Sequence, residues 1–179
     1  MTPVVLIRHA EPLMTGETPR AEWPLTEKGR KDATALGTGL AGRSTSAIVL
    51  TSPERRARET AALSLPLVVA DIRDQLSEVK KPWYASADEH TNAVTKYLKG
   101  ETVEGWERRE DVISRIAQLK SDFGSSKSLV FVSHGLLLTT WLDHEIGLSD
   151  PSSFWTDLRM PDAWVADFEE KSLQRIVAR

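Results

Sequence analysis

Four short stretches of this chain are apolar at every position: Val4 to Ile7, Ala47 to Leu50, Leu67 to Ala70 and Leu129 to Val132. They are rich in β-branched residues and do not alternate with polar ones. That is the pattern of strands buried on both faces of a mostly parallel sheet. Parallel neighbours need long crossovers, and helical periods lie between these runs. Ala33, Leu36, Gly37 and Leu40 follow a helical spacing after a cap at Thr26. A second helix is expected from Ser52-Pro53, with Pro53 at the first helical position, where a missing N–H costs nothing. Ser86 and Glu89 form a capping-box signature ahead of Ala93, Val94, Tyr97 and Leu98. Val112, Ile113, Ile116 and Leu119 mark a further helix, and Leu136 to Ile146 another. Ala163 to Phe168 and Leu173 to Val177 read as a hairpin or antiparallel edge, whereas Leu76 to Ser86 reads as a loop. The expected class is α/β, a three-layer α/β/α sandwich around a mostly parallel central sheet. The 179 residues fit one domain spanning 1–179.

In open α/β sheets, ligands sit beyond the carboxyl ends of the strands. After the first apolar run come Arg8-His9-Ala10-Glu11. Thr51-Ser52-Pro53 and the arginines Arg55 and Arg56 follow the second. Glu78 lies in the loop after the third, and Ser133-His134-Gly135 follow the fourth. Two histidines, several arginines and a carboxylate therefore emerge at one sheet edge.

Those residue types suit a phosphate ester. A phosphomonoester carries about two negative charges, and the planar fork of an arginine matches its oxygens better than a lysine does. Arg8 and Arg56 supply that clamp, with His134 as a third donor once protonated. The helices expected after Ser52-Pro53 and Gly135 would add backbone N–H groups. Phosphoryl transfer also needs an aligned nucleophile and an acid for the leaving oxygen. A neutral imidazole held through its other nitrogen fits the first role, and His9 stands beside Arg8. Glu78 is the candidate acid.

Other chemistries find less support. The sequence has no cysteine, which removes disulfides, thiolate metal sites and cysteine nucleophiles. It carries no HExxH, GxxxxGK[ST] or GxSxG motif. The net charge is −3 and no basic stripe appears, so neither nucleic acid nor an anionic membrane is expected as a partner. The apolar runs fall far short of the ~20 residues of a membrane span. With Met1-Thr2-Pro3 leading directly into a strand, a soluble cytoplasmic chain is expected. Arg55, Arg58, Glu11, Lys80 and Lys81 are expected to be solvated, and His90 and His144 to be surface or packed residues. Ser133 is expected to be a structural hydroxyl, and Trp83 and Trp106 to line the substrate pocket. The Asp143-His144-Glu145 run lacks a further ligand at metal-binding spacing.

Leu6-Ile7-Arg8-His9-Ala10-Glu11 resembles the opening motif of the histidine phosphatase superfamily, the phosphoglycerate-mutase-like enzymes. Pro24-Leu25-Thr26-Glu27-Lys28-Gly29 is similar to the element that family carries next. Thr51 to Ala61 is similar to its second arginine motif, Leu76-Ser77-Glu78 to the acid-bearing segment, and Val132-Ser133-His134-Gly135 to the second histidine motif. The motifs occur in the family's order over residues 4 to 135. The resemblance implies a phosphoglycerate-mutase-like sandwich, a phosphohistidine at His9 and a phosphate pocket of Arg8, Arg56 and His134. It implies hydrolysis of a small phosphorylated substrate without metal or organic cofactor. Two features depart from the pattern: Ala10 replaces a glycine, and Glu78 is followed by Val79-Lys80-Lys81-Pro82-Trp83. The alternatives are a phosphoglycerate mutase, or a non-catalytic phospho-ligand-binding module on the same fold.

Overall fold

The computed structural model describes residues 3–42, 47–123 and 128–177. Six strands form one sheet: β1 (Val4–Arg8), β2 (Ile48–Thr51), β3 (Asp71–Ile72), β4 (Leu129–Ser133), β5 (Asp162–Asp167) and β6 (Ser172–Arg175). Their order is β3-β2-β4-β1-β5-β6. The first four run parallel, and β5 and β6 add an antiparallel hairpin beside β1. The longer helices are α1 (Glu27–Leu40), α2 (Arg55–Ser64), α3 (Ala87–Leu98), α4 (Arg109–Phe123) and α5 (Gly135–Ile146), with a short α6 (Pro151–Thr156) before the hairpin. None is long and apolar enough to cross a membrane.

The period of two along each strand sorts its side chains into two cores. Val4, Leu6, Leu50, Leu129 and Phe131 face one side, where Val94 of α3, Ile116 of α4 and Leu137 of α5 cover them. Val5, Ile7, Val49, Val130 and Val132 face the other, against Leu36 and Leu40 of α1 and Ala57 and Ala61 of α2. A strand buried on both faces has no position for a polar residue. That explains the uninterrupted apolar runs and makes the sandwich three layers thick.

Several expected local signals hold. Thr26 accepts the Gly29 N–H at the start of α1, and Ser86 accepts the Glu89 N–H at the start of α3. The chain before α1 is clamped to the chain after β1. Thr26 N–H donates to the Glu11 carbonyl, Pro12 bridges Leu25, and a Cβ on Gly29 would lie 2.4 Å from the Glu11 oxygen. Only glycine allows that approach.

Two expectations fail. Leu67 to Ala70 is not a strand: Leu67 and Val69 are each 95 % exposed, and only Val68 and Ala70 pack inward. Pairing with β2 begins at Leu50↔Asp71 and spans two residues, which keeps this sheet edge short. The second helix begins at Arg55 behind a Glu54 cap position, so Pro53 precedes the helix. The Glu54 N–H is instead taken by the Ser52 hydroxyl. Helix α6 has an Asp150 cap with Pro151 behind it, but six residues are too few to show a period.

Replacing the fully buried Phe131 by alanine should cost about 3–5 kcal/mol of folding free energy. Thr26→Ala, which removes the cap and a long hydrogen bond to the Glu11 carbonyl, should cost about 1 kcal/mol. Urea unfolding midpoints of the two variants would check that ordering.

Candidate active site

Strand register decides which side chains meet. Arg8 pairs with Ser133, and Thr51 with Val132. The residues that leave the sheet next, His9, His134 and Ser52, therefore emerge side by side. The His9 N–H donates to the Ser133 carbonyl (2.9 Å) and the Ser52 N–H to that of Val132 (3.0 Å), so the turn begins in fixed geometry. The two imidazole centroids are 5.1 Å apart, edge to face. Arg56, one residue into α2, lies between them. Its Nε donates to His9 Nε2 (3.1 Å), and its Nη2 donates to His134 Nδ1 (3.2 Å). Arg56 is 7 % exposed, His9 6 %, and His134 is fully buried.

The hydrogen bonds determine the histidine tautomers. His9 Nδ1 lies 2.8 Å from the Ala10 carbonyl, which can only accept, so Nδ1 carries the hydrogen. Nε2 is left with its lone pair pointing at Arg56. Ala10 itself is buried with an ordinary negative φ, and its N–H donates to Thr60 Oγ1 (2.9 Å), so alanine takes this position without strain.

Arg8 Nη1 donates to the Leu158 carbonyl (2.9 Å), and its buried Nε has no protein partner among the described residues. Burial lowers the Arg8 pKa from its ordinary value, opposed by the carboxylates of Glu78 and Asp162. Its guanidinium lies against the first turn of α5, where a Cβ on Gly135 would stand 2.9 Å from Nε. Gly135 is thus the space into which Arg8 folds.

Glu78 joins this group from an irregular loop that side chains hold in place. Arg115 donates to the carbonyls of Gln75 and Ser77, and the Ser133 hydroxyl to that of Leu76 (2.6 Å), the structural role expected of Ser133. Glu107 accepts the Lys80 N–H. These bonds satisfy backbone groups that no ladder reaches. One Glu78 oxygen accepts from the Val79 and Leu137 N–H groups, the latter at the positive end of α5. The other lies 3.8 Å from the Lys81 ammonium.

Lys81 is therefore not the solvated residue expected. Its side chain is 9 % exposed, folded between Glu78 and the face of Trp106. Trp106 is buried, with Tyr84 and His90 packed around it. Trp83 is exposed and meets Trp23 edge to face. Arg55 is exposed and pairs with Glu59, while Arg58 is exposed. Asp143 and Glu145 are paired with Arg109 and Lys120.

The residue that sequence reasoning missed is Glu54. Its carboxylate, 14 % exposed, is ion-paired with Arg56 Nη2, lies 3.3 Å from His134 Nε2 and accepts the Glu78 N–H (2.9 Å). It touches three of the five predicted residues. Between Pro53 and two exposed-looking arginines, one acidic residue carries no signal that separates it from a solvated helix cap.

Burial depresses the pKa of both histidines well below 6.5. For His9, His134, Arg56 and Arg8 add to the depression, while the bond to Ala10 opposes it. For His134 the further causes are Arg56, Lys81, Arg115 and Arg8. Burial alone would raise the Glu78 pKa, but Lys81, the Val79 N–H, Arg56 and His9 outweigh it, and the carboxyl is held below its usual range. Both imidazoles are thus neutral and Glu78 is ionised in the ligand-free protein. The unfolded chain takes up protons on both histidines as pH falls through 6.5, and the folded chain does not. Their contribution to stability should therefore be constant above that pH and decline below it, by at most about 1.4 kcal/mol per pH unit for each histidine. Urea midpoints at pH 7.5 and 5.5 should differ in that direction. A His9→Asn/His134→Asn double variant should show a smaller difference.

The family model for the histidine phosphatase superfamily (branch 1) matches residues 4–172. No curated protein matches the chain in a sequence search. Among solved structures, that of the open reading frame Rv3214 from Mycobacterium tuberculosis superimposes with a TM-score of 0.72 at 25 % identity, over 99 % of this chain and 96 % of its own. The mycobacterial glucosyl-3-phosphoglycerate phosphatase Rv2419c, bound to inorganic phosphate, gives 0.68 at 20 % identity over 99 % and 96 %. A phosphoserine phosphatase mutant from Entamoeba histolytica, in complex with phosphoserine, gives 0.70 at 20 % identity over 98 % and 95 %. The last two likenesses are of fold. The family match runs from the first residue of β1 to the first residue of β6, and on that ground this chain belongs to the histidine phosphatase superfamily, branch 1.

Proposed function

We propose that the chain, acting as a single histidine phosphatase domain, hydrolyses a small phosphomonoester through a phosphohistidine at His9, with Glu78 as proton donor. The observation that carries this reading is the His9 tautomer. Nδ1–H is tied to the Ala10 carbonyl, and the Nε2 lone pair accepts from Arg56 Nε, a donor that an incoming phosphoryl oxygen would draw away. A neutral, oriented imidazole held against a guanidinium is equipped to attack an anionic phosphorus. The buried Arg8 Nε, without a protein partner, is a donor suited to a phosphoryl oxygen. Arg8, Arg56 and His134 bind the phosphoryl group. Neighbours of the same fold include phosphatases named for phosphoserine and glucosyl-3-phosphoglycerate, both small phosphorylated molecules.

In the first step the His9 Nε2 lone pair forms a bond to phosphorus as the bond to the ester oxygen breaks, and that oxygen takes the Glu78 proton. In the second, the Glu78 carboxylate takes a proton from water while the water oxygen attacks phosphorus, the N–P bond breaks and phosphate leaves. Glu78 is ionised without substrate, so it must gain its proton as substrate binds. A phosphate dianion close by favours this, because like charge raises a carboxyl pKa. Lys81 opposes it and keeps Glu78 ionised until the anion arrives.

His9→Ala should lower hydrolysis of an aryl phosphate about 10³-fold or more, in the presence of chelator. Unchanged turnover would remove His9 from this role. Glu78→Gln should cost about 10²-fold or more with alkyl phosphates and much less with nitrophenyl phosphate, whose leaving group needs no proton. Phosphoryl transfer between glycerate positions outrunning phosphate release would favour a mutase instead. Gly135→Ala should displace the Arg8 guanidinium and weaken inorganic phosphate inhibition about tenfold, with little loss of folding stability, since the obstructed group is the end of a flexible side chain.

A further inference from the structure

We propose that Glu54 is a positioning residue for His134: it holds Arg56 against the ring and stabilises the imidazolium that His134 becomes when an anion occupies the site. This rests on the reading of the site as a phosphate pocket.

The hydrogen bonds around His134 leave one arrangement. Arg56 Nη2 can only donate, so His134 Nδ1, 3.2 Å away, is the acceptor and carries no hydrogen in the ligand-free protein. The hydrogen sits on Nε2. It faces the Ser52 hydroxyl at 2.8 Å and a Glu54 oxygen at 3.3 Å. The second Glu54 oxygen is ion-paired with the same Arg56 Nη2, and the first also accepts the Glu78 N–H. Glu54 thus lies at the Nε2 edge of the ring and holds the arginine between the two imidazoles.

When a phosphate draws the Arg56 N–H groups to its oxygens, the Nδ1 lone pair is left facing an anion. The repulsion is relieved if Nδ1 takes a proton from solvent and donates it to a phosphate oxygen. The charge so created lies among cations from every neighbouring element: Arg8 of β1, Arg56 of α2, Lys81 of the Glu78 loop and Arg115 of α4. Glu59 of α2 is paired with Arg30 and Arg55; the carboxylates that meet this cluster are Glu54 and Glu78, and Glu78 is already engaged by Lys81 and two backbone N–H groups. Glu54 is the carboxylate within reach of Nε2, so it and the phosphate stabilise the imidazolium from opposite sides. The arrangement is that of a carboxylate behind a histidine, applied here to a phosphate ligand.

The test is binding of inorganic phosphate between pH 6 and 9, with imidazole nitrogen NMR signals and the pH profile of kcat/KM, in wild type, Glu54→Gln and Glu54→Asp. In phosphate-loaded wild type, His134 should remain doubly protonated above neutral pH. A neutral His134 there overturns the assignment. Glu54→Gln keeps an oxygen for the Glu78 N–H but loses the charge. It should weaken phosphate about tenfold at pH 6, where His134 is protonated in the complex but not in the free protein, and progressively less as pH rises past the His134 pKa of the complex. The alkaline limb of kcat/KM should move to lower pH, with the change mainly in KM, and Glu54→Asp should recover part of the loss. Glu54→Gln binding phosphate as wild type does, or more tightly at every pH, overturns the proposal by showing that Glu54 is neutral or repulsive toward the anion. If Glu54→Gln does not fold, Glu54→Asp and the wild-type titration still decide. If phosphate-loaded wild type shows the protonated His134 but cleaves no ester, the hydrolytic reading fails and this assignment stands.

Discussion

Strands β1 and β4 pair in parallel from Val4↔Leu129 to Arg8↔Ser133, and the candidate site depends on that register. A slip of one residue would send Leu6 and Phe131 to the face now occupied by Ile7 and Val132. Each core is packed against different helices, so such a slip would bury the wrong side chains on both faces. Hydrophobic burial along five residues therefore determines where the polypeptide leaves the sheet. It delivers His9 and His134 to the same edge with their rings 5.1 Å apart. Strand β2, in register on the other side of β4, delivers Ser52 and then Arg56.

The electrostatics of this edge differ in sign from those of the whole chain. The net charge is −3, yet Arg8, Arg56, Lys81 and Arg115 all act on one buried imidazole. Buried cations held so close need compensation. Glu54 and Glu78 supply part of it, and peptide carbonyls supply more: those of Leu158, Arg20, Gln75 and Ser77 each accept from a guanidinium. The arginines are thus oriented before any ligand arrives, and the Arg8 Nε is a donor without a protein acceptor.

Much of the scaffold was legible in the sequence. Thr26 and Ser86 are caps because short hydroxyl side chains reach the N–H three residues on, a strictly local geometry. The apolar runs at Val4 to Ile7, Ala47 to Leu50 and Leu129 to Val132 identify sheet interior. Leu67 to Ala70 misled because apolar composition does not say whether a partner strand reaches that far; β2 offers it none before Asp71. The five predicted site residues were legible as residue types at strand ends. Glu54 and Lys81 were not. Their surroundings come from segments 24 to 80 residues distant, and a charged residue in a polar stretch looks solvated until those segments arrive.

By itself the sequence determined the class of fold, the strands that form its centre and the residue types at their ends, because period and capping are local properties of the chain. Tertiary structure alone decided the state of those residues. Which imidazole nitrogen bears a hydrogen, which guanidinium nitrogen lacks a partner, and that Glu78 is ionised beside Lys81 all follow from contacts between distant segments. Protonation and orientation respond to burial and to charges a few ångströms away, and packing creates those distances.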